Sequence, residues 1–395
     1  MDLVYEFNYI DATGKISGFL EENAELRNSA ISYYSLHKTL SGKYPTYLEL
    51  NRHFMLFRDN YSNLKVQCIQ QTLKLVEKNW KGYFASLKSY YEDKSKWRGK
   101  PQPPTPNRKK YTLIHTNQSC RIKKRKLFLN KDFSIQLPKN CKVTDFQQVR
   151  IKHINDNNFS IGIVYNKEVI DKVPNDNFMS IDLGVVNFAS IITNTDDKPI
   201  LVKGGALKSI IHTTNKKTKK KKNKKKSFIK RNNKIKDFLH KTSRLIVNSA
   251  IKRDVGTIVI GSNINWKNQS KMGKKTNMFF CSMAHTTLKK YISYKAELVG
   301  IKVFETEESY TSKCDFLNNE PIGPNPLHAL KKKRKKRGLF YSNSRVILNA
   351  DVNAACNILR KFVVKNSGNK DVFSRLFDMR CLCHPVSIRY PGRDI

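Results

Sequence analysis

The stretch FMSIDLGVVNFASII, residues 178–192, decides the fold. An apolar run closes on Asp182, Gly184 marks a tight turn, and NFASIITN resumes an apolar strand pattern. The segment therefore reads as two strands folded back across a glycine-containing turn. A carboxylate at a strand end beside such a turn projects out of the sheet while its backbone stays in the ladder. Taken alone, Asp182 also suits a plain turn aspartate, since Asp-x-Gly is a common turn composition.

Working outward, KPILVKGG (198–205) reads as a third strand and IKDFLHKTSRLIVNSAIKR (235–253) as a helix. In that helix Ile235, Phe238, Leu239, Leu245, Ile246 and Ala250 form a stripe suited to facing a sheet, and His240 reads as a packed residue of the helix. TIVIG (257–261) is a fully apolar strand, SMAHTTLKKYISYKAEL (282–298) a helix and KVFETEES (302–309) another strand. Strands alternating with helices after an opening hairpin predict a mixed α/β sheet.

Two further stretches carry acids. In NADVNAACNILRKF (349–362), Asn349 is suited to cap a helix whose first turn holds Asp351, where the helix dipole also favours a carboxylate. Ala350, Ala354 and Ala355 would let that helix approach the sheet closely. Two carboxylates are few for a two-metal phosphodiesterase, which usually needs about three or four. The end of TIVIG should offer the next one, but Gly261 stands there. The neighbouring strand ends in Glu305, Glu307 and Glu308, and strands lie only about 4.8 Å apart, so a glutamate one strand over can reach the same place. Alternation puts Glu307 and Glu308 on opposite faces, so only one can ligate; the plain alternative is a pair of solvated strand-end acids. A carboxylate from a first strand, one from a later strand and one from a final helix is the pattern by which a ribonuclease H-like fold gathers ligands for magnesium. A hydrolase acting on nucleic acid is the class this pattern points to.

Upstream, residues near 2 to 11 alternate apolar and polar as a strand does, and a polar helical stretch follows. From Leu64 to Tyr91 apolar residues recur every three or four positions, which predicts a long amphipathic helix with Trp80 and Tyr83 in its core stripe. WRGKPQPPTPNRKKY (97–111) reads as a connecting loop, because its prolines forbid helix. From Thr112 to about Asn166, five short β-rich runs suggest a small OB-like β-barrel, joined by the N-terminal strand and interrupted by the helices as an insertion.

The 395-residue chain carries a formal net charge of +43, far beyond what solubility requires, and a polyanionic partner is the natural consequence. No run of about 18 apolar residues or amphipathic anchor points to a membrane. The N-terminal stretch lacks the basic start and apolar centre of a signal peptide, so the eight cysteines are expected in a reducing compartment. Apart from Cys381 and Cys383 they are scattered singly, with no CxxC pair to announce zinc. The lysine block from Lys216 to Arg231 reads as a phosphate-neutralising segment, with a solvated loop as the alternative for Lys216 to Lys226, and in a eukaryotic host such a run could serve as a nuclear localisation signal.

Taken together, SIDLGVVNFASI, IKDFLHKTSRLIV, TIVIGSNINWK, EESYTSK, KKRGLFYS and NADVNAACNILRK, with the weaker NWKGYFASLKSYYEDKSKWRGKPQPP, resemble the TnpB family of transposon-encoded RNA-guided nucleases (OrfB-type transposases). These are relatives of Fanzor proteins and type V CRISPR effectors. The resemblance implies an RNA-guided DNA endonuclease whose partners are a guide RNA from the transposon end and double-stranded target DNA, acting in the cytoplasm or nucleoid. It further implies residues 1–14 as the first strand of an OB-like wedge domain, 15–104 as a helical recognition insertion, 105–175 as the rest of the wedge, and 176–395 as a RuvC nuclease domain. Asp182 matches the first RuvC carboxylate and Asp351 the third. Glu308, with Glu307 as the fallback, matches the second in the subgroup whose glutamate has moved off the TIVIG strand. Two Mg²⁺ ions are the implied cofactor. The chain departs from many family members in the zinc-finger insertion, here about 311–345, where Cys314 stands alone and zinc is not expected. A catalytically inactive RNA- and DNA-binding regulator or transposition accessory protein is the alternative reading of the same scaffold.

Overall fold

The computed structural model describes the chain apart from residues 108, 172–174, 196–197, 220–223, 263–282, 325–335, 337, 367–381 and 392–395, together with the side chains of 215–226. Much of the lysine block, the basic run 331–335 and Cys381 therefore lie outside the described residues. The chain divides into two compact units, Met1–Lys167 and Glu168–Ile395.

In the first unit, β1 (Asp2–Ile10) alternates exposed and half-buried residues, as the sequence pattern requires, and pairs antiparallel along its whole length with β7 (Asn158–Asn166). With β6 (Gln148–Asn155) and β2 (Leu113–Thr116) it forms a sheet of order β1-β7-β6-β2. Between β1 and β2 run three helices, α1 (Lys15–Ser41), α2 (Tyr47–Leu56) and α3 (Val66–Glu92). The strand turns into α1 at the buried Asp11, whose carboxylate accepts from the Thr13 and Ile16 backbone N–H groups at 3.0 and 2.8 Å. Helix α2 opens on a capping box made by Thr46 and Glu49. The stripe expected of α3 is buried at Ile69, Leu73, Val76 and Trp80, and the Trp80 indole stacks on Tyr34 at 5.3 Å. The proline-rich connector has no regular structure but is pinned to α1: Asn28 and Asn107 exchange hydrogen bonds of 2.8 and 3.2 Å, and the Arg27 guanidinium lies 3.6 Å over the Tyr111 ring.

The strands expected of an OB-like barrel divide between two sheets. β3 (Arg121–Lys123), β4 (Lys126–Phe128) and β5 (Ser134–Gln136) form a separate three-stranded sheet, with a strand pairing from Arg121 that the sequence pattern did not suggest. Strands of three residues hold few ladder bonds, and side chains such as Leu127 and Ile135 attach this small sheet through the common core instead.

In the second unit, β8 (Phe178–Asp182), β9 (Asn187–Thr193) and β10 (Ile200–Lys203) make the expected antiparallel meander. β11 (Thr257–Ser262) pairs parallel with β8, and β12 (Lys302–Glu307) parallel with β11. A short β15 (Val386–Ile388), invisible in the sequence pattern, adds parallel to β10, giving the order β12-β11-β8-β9-β10-β15. One face is covered by α4 (Gly205–Lys219), α5 (Lys224–Lys252) and α6 (His285–Glu297), whose Leu207, Phe238, Ile246 and Ile292 share a core with Met179, Ile181, Ile258 and Ile260. The other face takes α7 (Ala350–Asn366), packed with Phe178, Ile192 and Val259. A hairpin of β13 (Leu339–Tyr341) and β14 (Ile347–Asn349) leads directly into α7. Among the described residues no helix is long and apolar enough to cross a membrane.

Candidate functional site

Side-chain alternation in the sheet selects which residues meet α7. On β8, Met179 and Ile181 join the core of the opposite face, whereas the Ser180 hydroxyl donates to the Ala355 carbonyl of α7 at 2.5 Å. Asp182 shares the parity of Ser180 and so stands on the α7 side, at the strand end. On β11, Val259 packs in the α7 core and Gly261 follows it on the same face. On β12, Phe304 meets Phe362 of α7 at 5.3 Å, and Thr306 pairs with Gly261. Glu308 continues that face, held one step beyond the strand by its N–H to the Ser262 carbonyl at 3.2 Å.

The glutamate fills the space that Gly261 leaves. A Cβ built on Gly261 would lie 2.9 Å from Glu308 Oε2, 2.7 Å from Ile358 Cδ1 of α7 and 3.5 Å from the carbonyl oxygen of Ile181, the residue before Asp182. Both of the first two separations are shorter than packed atoms tolerate, so the missing side chain and the incoming carboxylate are complementary. Glu307 goes elsewhere: it is exposed, ion-pairs with Lys361 of α7 and accepts from the Ser309 N–H at 3.0 Å. Glu305 pairs with Lys289 at 2.9 Å. Burial raises the Glu305 carboxyl, but hydrogen bonds from Lys289 and the Ser262 side chain outweigh it, and Lys361 with the Ser309 N–H lowers Glu307, so both lie below the usual range. Burial is instead the main influence on Glu308 and pushes it up, the charge of Glu307 adding to this against Lys289.

Asp351 arrives from the other side. Asn349 caps α7 as its position predicts, its Oδ1 accepting from the N–H groups of Asp351 and Val352 at 3.0 and 3.3 Å. One carboxylate oxygen of Asp351 accepts from Asn187 Nδ2 at 2.7 Å, and Asn187 Oδ1 in turn accepts from Lys203 Nζ at 2.8 Å. Asn187 is 4% exposed and begins β9, immediately across the turn from Asp182. Gly184 is required in that turn, since a Cβ there would lie 2.7 Å from the Asn187 carbonyl oxygen. The fold thus lines up the ends of β12, β11 and β8 with the start of β9, carrying Glu308, Gly261, Asp182 and Asn187, beneath the first turn of α7 with Asp351. Among the described residues no three His, Cys, Asp or Glu side chains lie close enough together to hold one metal ion.

The turn bearing Glu308 is fastened to α7. The Thr311 N–H and hydroxyl both donate to the Glu308 carbonyl, at 3.2 and 2.8 Å. The Asn357 amide of α7 donates to the carbonyls of Thr311 and Cys314 at 2.8 Å each, and Asn353 donates to that of Cys314 at 2.8 Å. In the insertion that follows, Cys314 donates its thiol to the Pro321 carbonyl at 3.4 Å. The fully buried Asp315 carboxylate accepts from Ser342, Asn318 and the Asn343 N–H at 2.8 to 3.0 Å, tying the two arms of the insertion together. Sequence reading missed Asn187, Lys203 and Asp315. Asn187 stood in the quoted GVVNF string, but its partner is separated from it by 164 residues.

The donor atoms at the aligned strand ends are hard carboxylate oxygens, the chemistry that suits magnesium over zinc. Glu308 in particular is a half-buried carboxyl whose charged form desolvation disfavours and a cation would stabilise. His240, by contrast, stacks on Tyr291 at 4.1 Å within the helical layer, where burial and Lys295 push its pKa down to about 4.

Two family models match the chain: a probable transposase model, OrfB_IS605, over residues 162–267, and the TNB domain of Cas12f1-like proteins over 285–358. Together they take in β8, β9, β11, α6, β12 and the start of α7. No curated protein matches. Among solved structures, the Cas12f1–sgRNA–target DNA complex aligns over 87% of this chain and 82% of its own, at 13% identity and a TM-score of 0.56, a likeness of fold. CasPhi-2 bound to crRNA aligns over 94% of this chain and 99% of its own, at 8% identity and a TM-score of 0.47.

Proposed function

We propose, from the premise that this is a TnpB-like protein, that it is an RNA-guided DNA endonuclease of a transposable element, hydrolysing DNA phosphodiesters at the aligned strand ends of its second unit. The observation that carries the reading is the Glu308 carboxylate lying over the Cβ-less Gly261 on the face shared with Asp182. A second acid has been rebuilt where the strand that should supply it cannot. In this reading Asp182, Glu308 and Asp351 hold the catalytic metal. When bound, two magnesium ions supply Lewis acidity to the attacking water and the departing 3′ oxygen. Asn187, clamped by Lys203, keeps one Asp351 oxygen engaged and so leaves the other to face the site. The first unit serves as wedge and helical recognition module, and the excess of 43 positive charges holds guide RNA and target DNA through their phosphates. Sequence is read by guide pairing.

A second reading, a nucleic-acid-binding regulator that does not cut, has one observation in its favour: among the described residues no three acids are already gathered at ligating distance. The two part in one experiment. Protein purified with co-expressed flanking RNA is offered a programmed target with magnesium or EDTA. Magnesium-dependent cleavage supports the nuclease; RNA binding without cleavage under any divalent metal gives the regulator.

Asn187→Ala tests the orienting role. Loss of a hydrogen-bond partner behind a metal ligand typically costs about 10- to 100-fold in activity or metal affinity. Single-turnover cleavage is expected to slow by that factor with RNA affinity unchanged; a rate within twofold of wild type would remove Asn187 from the site.

A further inference from the structure

We infer that the cavity between α5 and α6, in the helical layer on the sheet face opposite α7, is a built site for a backbone phosphate of bound nucleic acid; this rests on the nucleic-acid-binding part of the proposed function. The cavity measures about 340 Å³ and is lined by His240, Lys241, Arg244, Asn248, Tyr294 and Lys295 among others. Its unusual member is Lys295. This lysine is 4% exposed, and its ammonium donates to the His240 carbonyl at 2.8 Å and the Ser243 hydroxyl at 2.6 Å. Both partners are neutral, the Tyr291 and Tyr294 rings lie 5.9 and 5.8 Å away, and among the described residues no carboxylate pairs with it. An ammonium has three N–H donors, so one remains.

A buried lysine without an anion is costly, because desolvation penalises the charge and the two tyrosine ring faces offset it only in part. Here burial and the neighbouring Arg244 pull the Lys295 pKa down to about 8. Such a group belongs in a core only if the charge is shed or an anion is supplied. Arg244, one turn from His240 on α5, is exposed and makes no ion pair among the described residues. A planar guanidinium beside a buried ammonium is an arrangement suited to a tetrahedral oxyanion. The exposed Asn248 adds an amide on the same helix face. Asp237, the acid whose charge acts on His240, is already engaged with Lys241 at 2.9 Å, and Glu297 lines a different cavity with Asp171. The cavity therefore offers donors with little competing negative charge. Many exposed lysines can meet phosphate loosely in so basic a chain; a buried one held by fixed neutral partners is preorganised for it.

The test uses the full-length protein and three labelled probes of one sequence: single-stranded RNA, single-stranded DNA and duplex DNA. Affinity is measured across a range of salt for wild type, Arg244→Gln, Arg244→Gln with Lys295→Met, and Lys252→Gln, the last an exposed lysine at the end of α5. One lost phosphate contact makes the slope of log affinity against log salt shallower by about 0.7 for single strands and about 0.9 for duplex. Arg244→Gln is expected to show that change with the nucleic acid that occupies the cavity, and Lys252→Gln is not. The double variant should bind more weakly still. The affected probe identifies the occupant as RNA or DNA. An unchanged slope for Arg244→Gln with every probe, or an equal change for Lys252→Gln, overturns the site while leaving the proposed function standing. Failure of wild type to bind any probe overturns both.

Discussion

Asp182→Ala is expected to abolish magnesium-dependent target cleavage while leaving guide RNA binding and thermal stability close to wild type. Metal-assisted hydrolysis contributes several kcal/mol of transition-state stabilisation, and each 1.36 kcal/mol is about tenfold in rate. On the proposed assignment of Asp182 as a ligand, its loss is therefore expected to cost about a thousandfold or more. The side chain stands at the end of β8 and is only half-buried, so its truncation opens no sizeable cavity. Asp351→Ala should match it, with one difference: it also strands the Asn187 amide and removes an acid from the first turn of α7, so a modest drop in melting temperature is expected. The measurement is single-turnover cleavage of a programmed target, with RNA affinity and thermal unfolding alongside. Cleavage by Asp182→Ala within tenfold of wild type would sink the assignment.

The second large effect needs no acid removed. Gly261→Ala places a Cβ 2.9 Å from Glu308 Oε2 and 2.7 Å from Ile358 Cδ1. Ile358 is fully buried in the α7 core and cannot yield freely, whereas the Glu308 backbone is held through Thr311 but its carboxylate, at the end of a flexible side chain, can swing aside. Overpacking of this kind costs about 1–3 kcal/mol of stability. The larger consequence is displacement of the glutamate, and cleavage is expected to fall about a hundredfold or more, since a misplacement of about 1 Å can cost that much. Glu308→Ala should be as inactive as Asp182→Ala. Glu307→Ala loses only its exposed pairing with Lys361 and should stay within a few-fold of wild type. Gly261→Ala with wild-type cleavage, or Glu307→Ala inactive with Glu308→Ala active, would refute the relocated glutamate.

These predictions draw unequally on sequence and structure. Asp182 and Asp351 were legible because each sits on a local signal, a strand running into a glycine turn and an asparagine-capped first turn, and local signals survive in one dimension. The order of the other main strands and helices in the second unit was legible for the same reason, but α4 and the β13–β14 hairpin were not placed from sequence. β15 was not, because three residues carry no periodicity and their place at the sheet edge depends on β10, far away in the chain. The division of the first unit's strands into two sheets was likewise hidden, since strand patterns do not encode which strand pairs with which.

By itself the sequence determined a strongly basic chain with a mixed α/β half, and it singled out two candidate acids and a choice between two neighbouring glutamates. Alternation placed those glutamates on opposite faces but could not say which face was which. Only the tertiary structure decided that, because the answer lies in which side of the sheet α7 covers and in what the missing Cβ of Gly261 leaves room for. The same holds for Asn187 and Lys295: each is an ordinary polar residue in the sequence, and each acquires a role only from partners that folding brings to it.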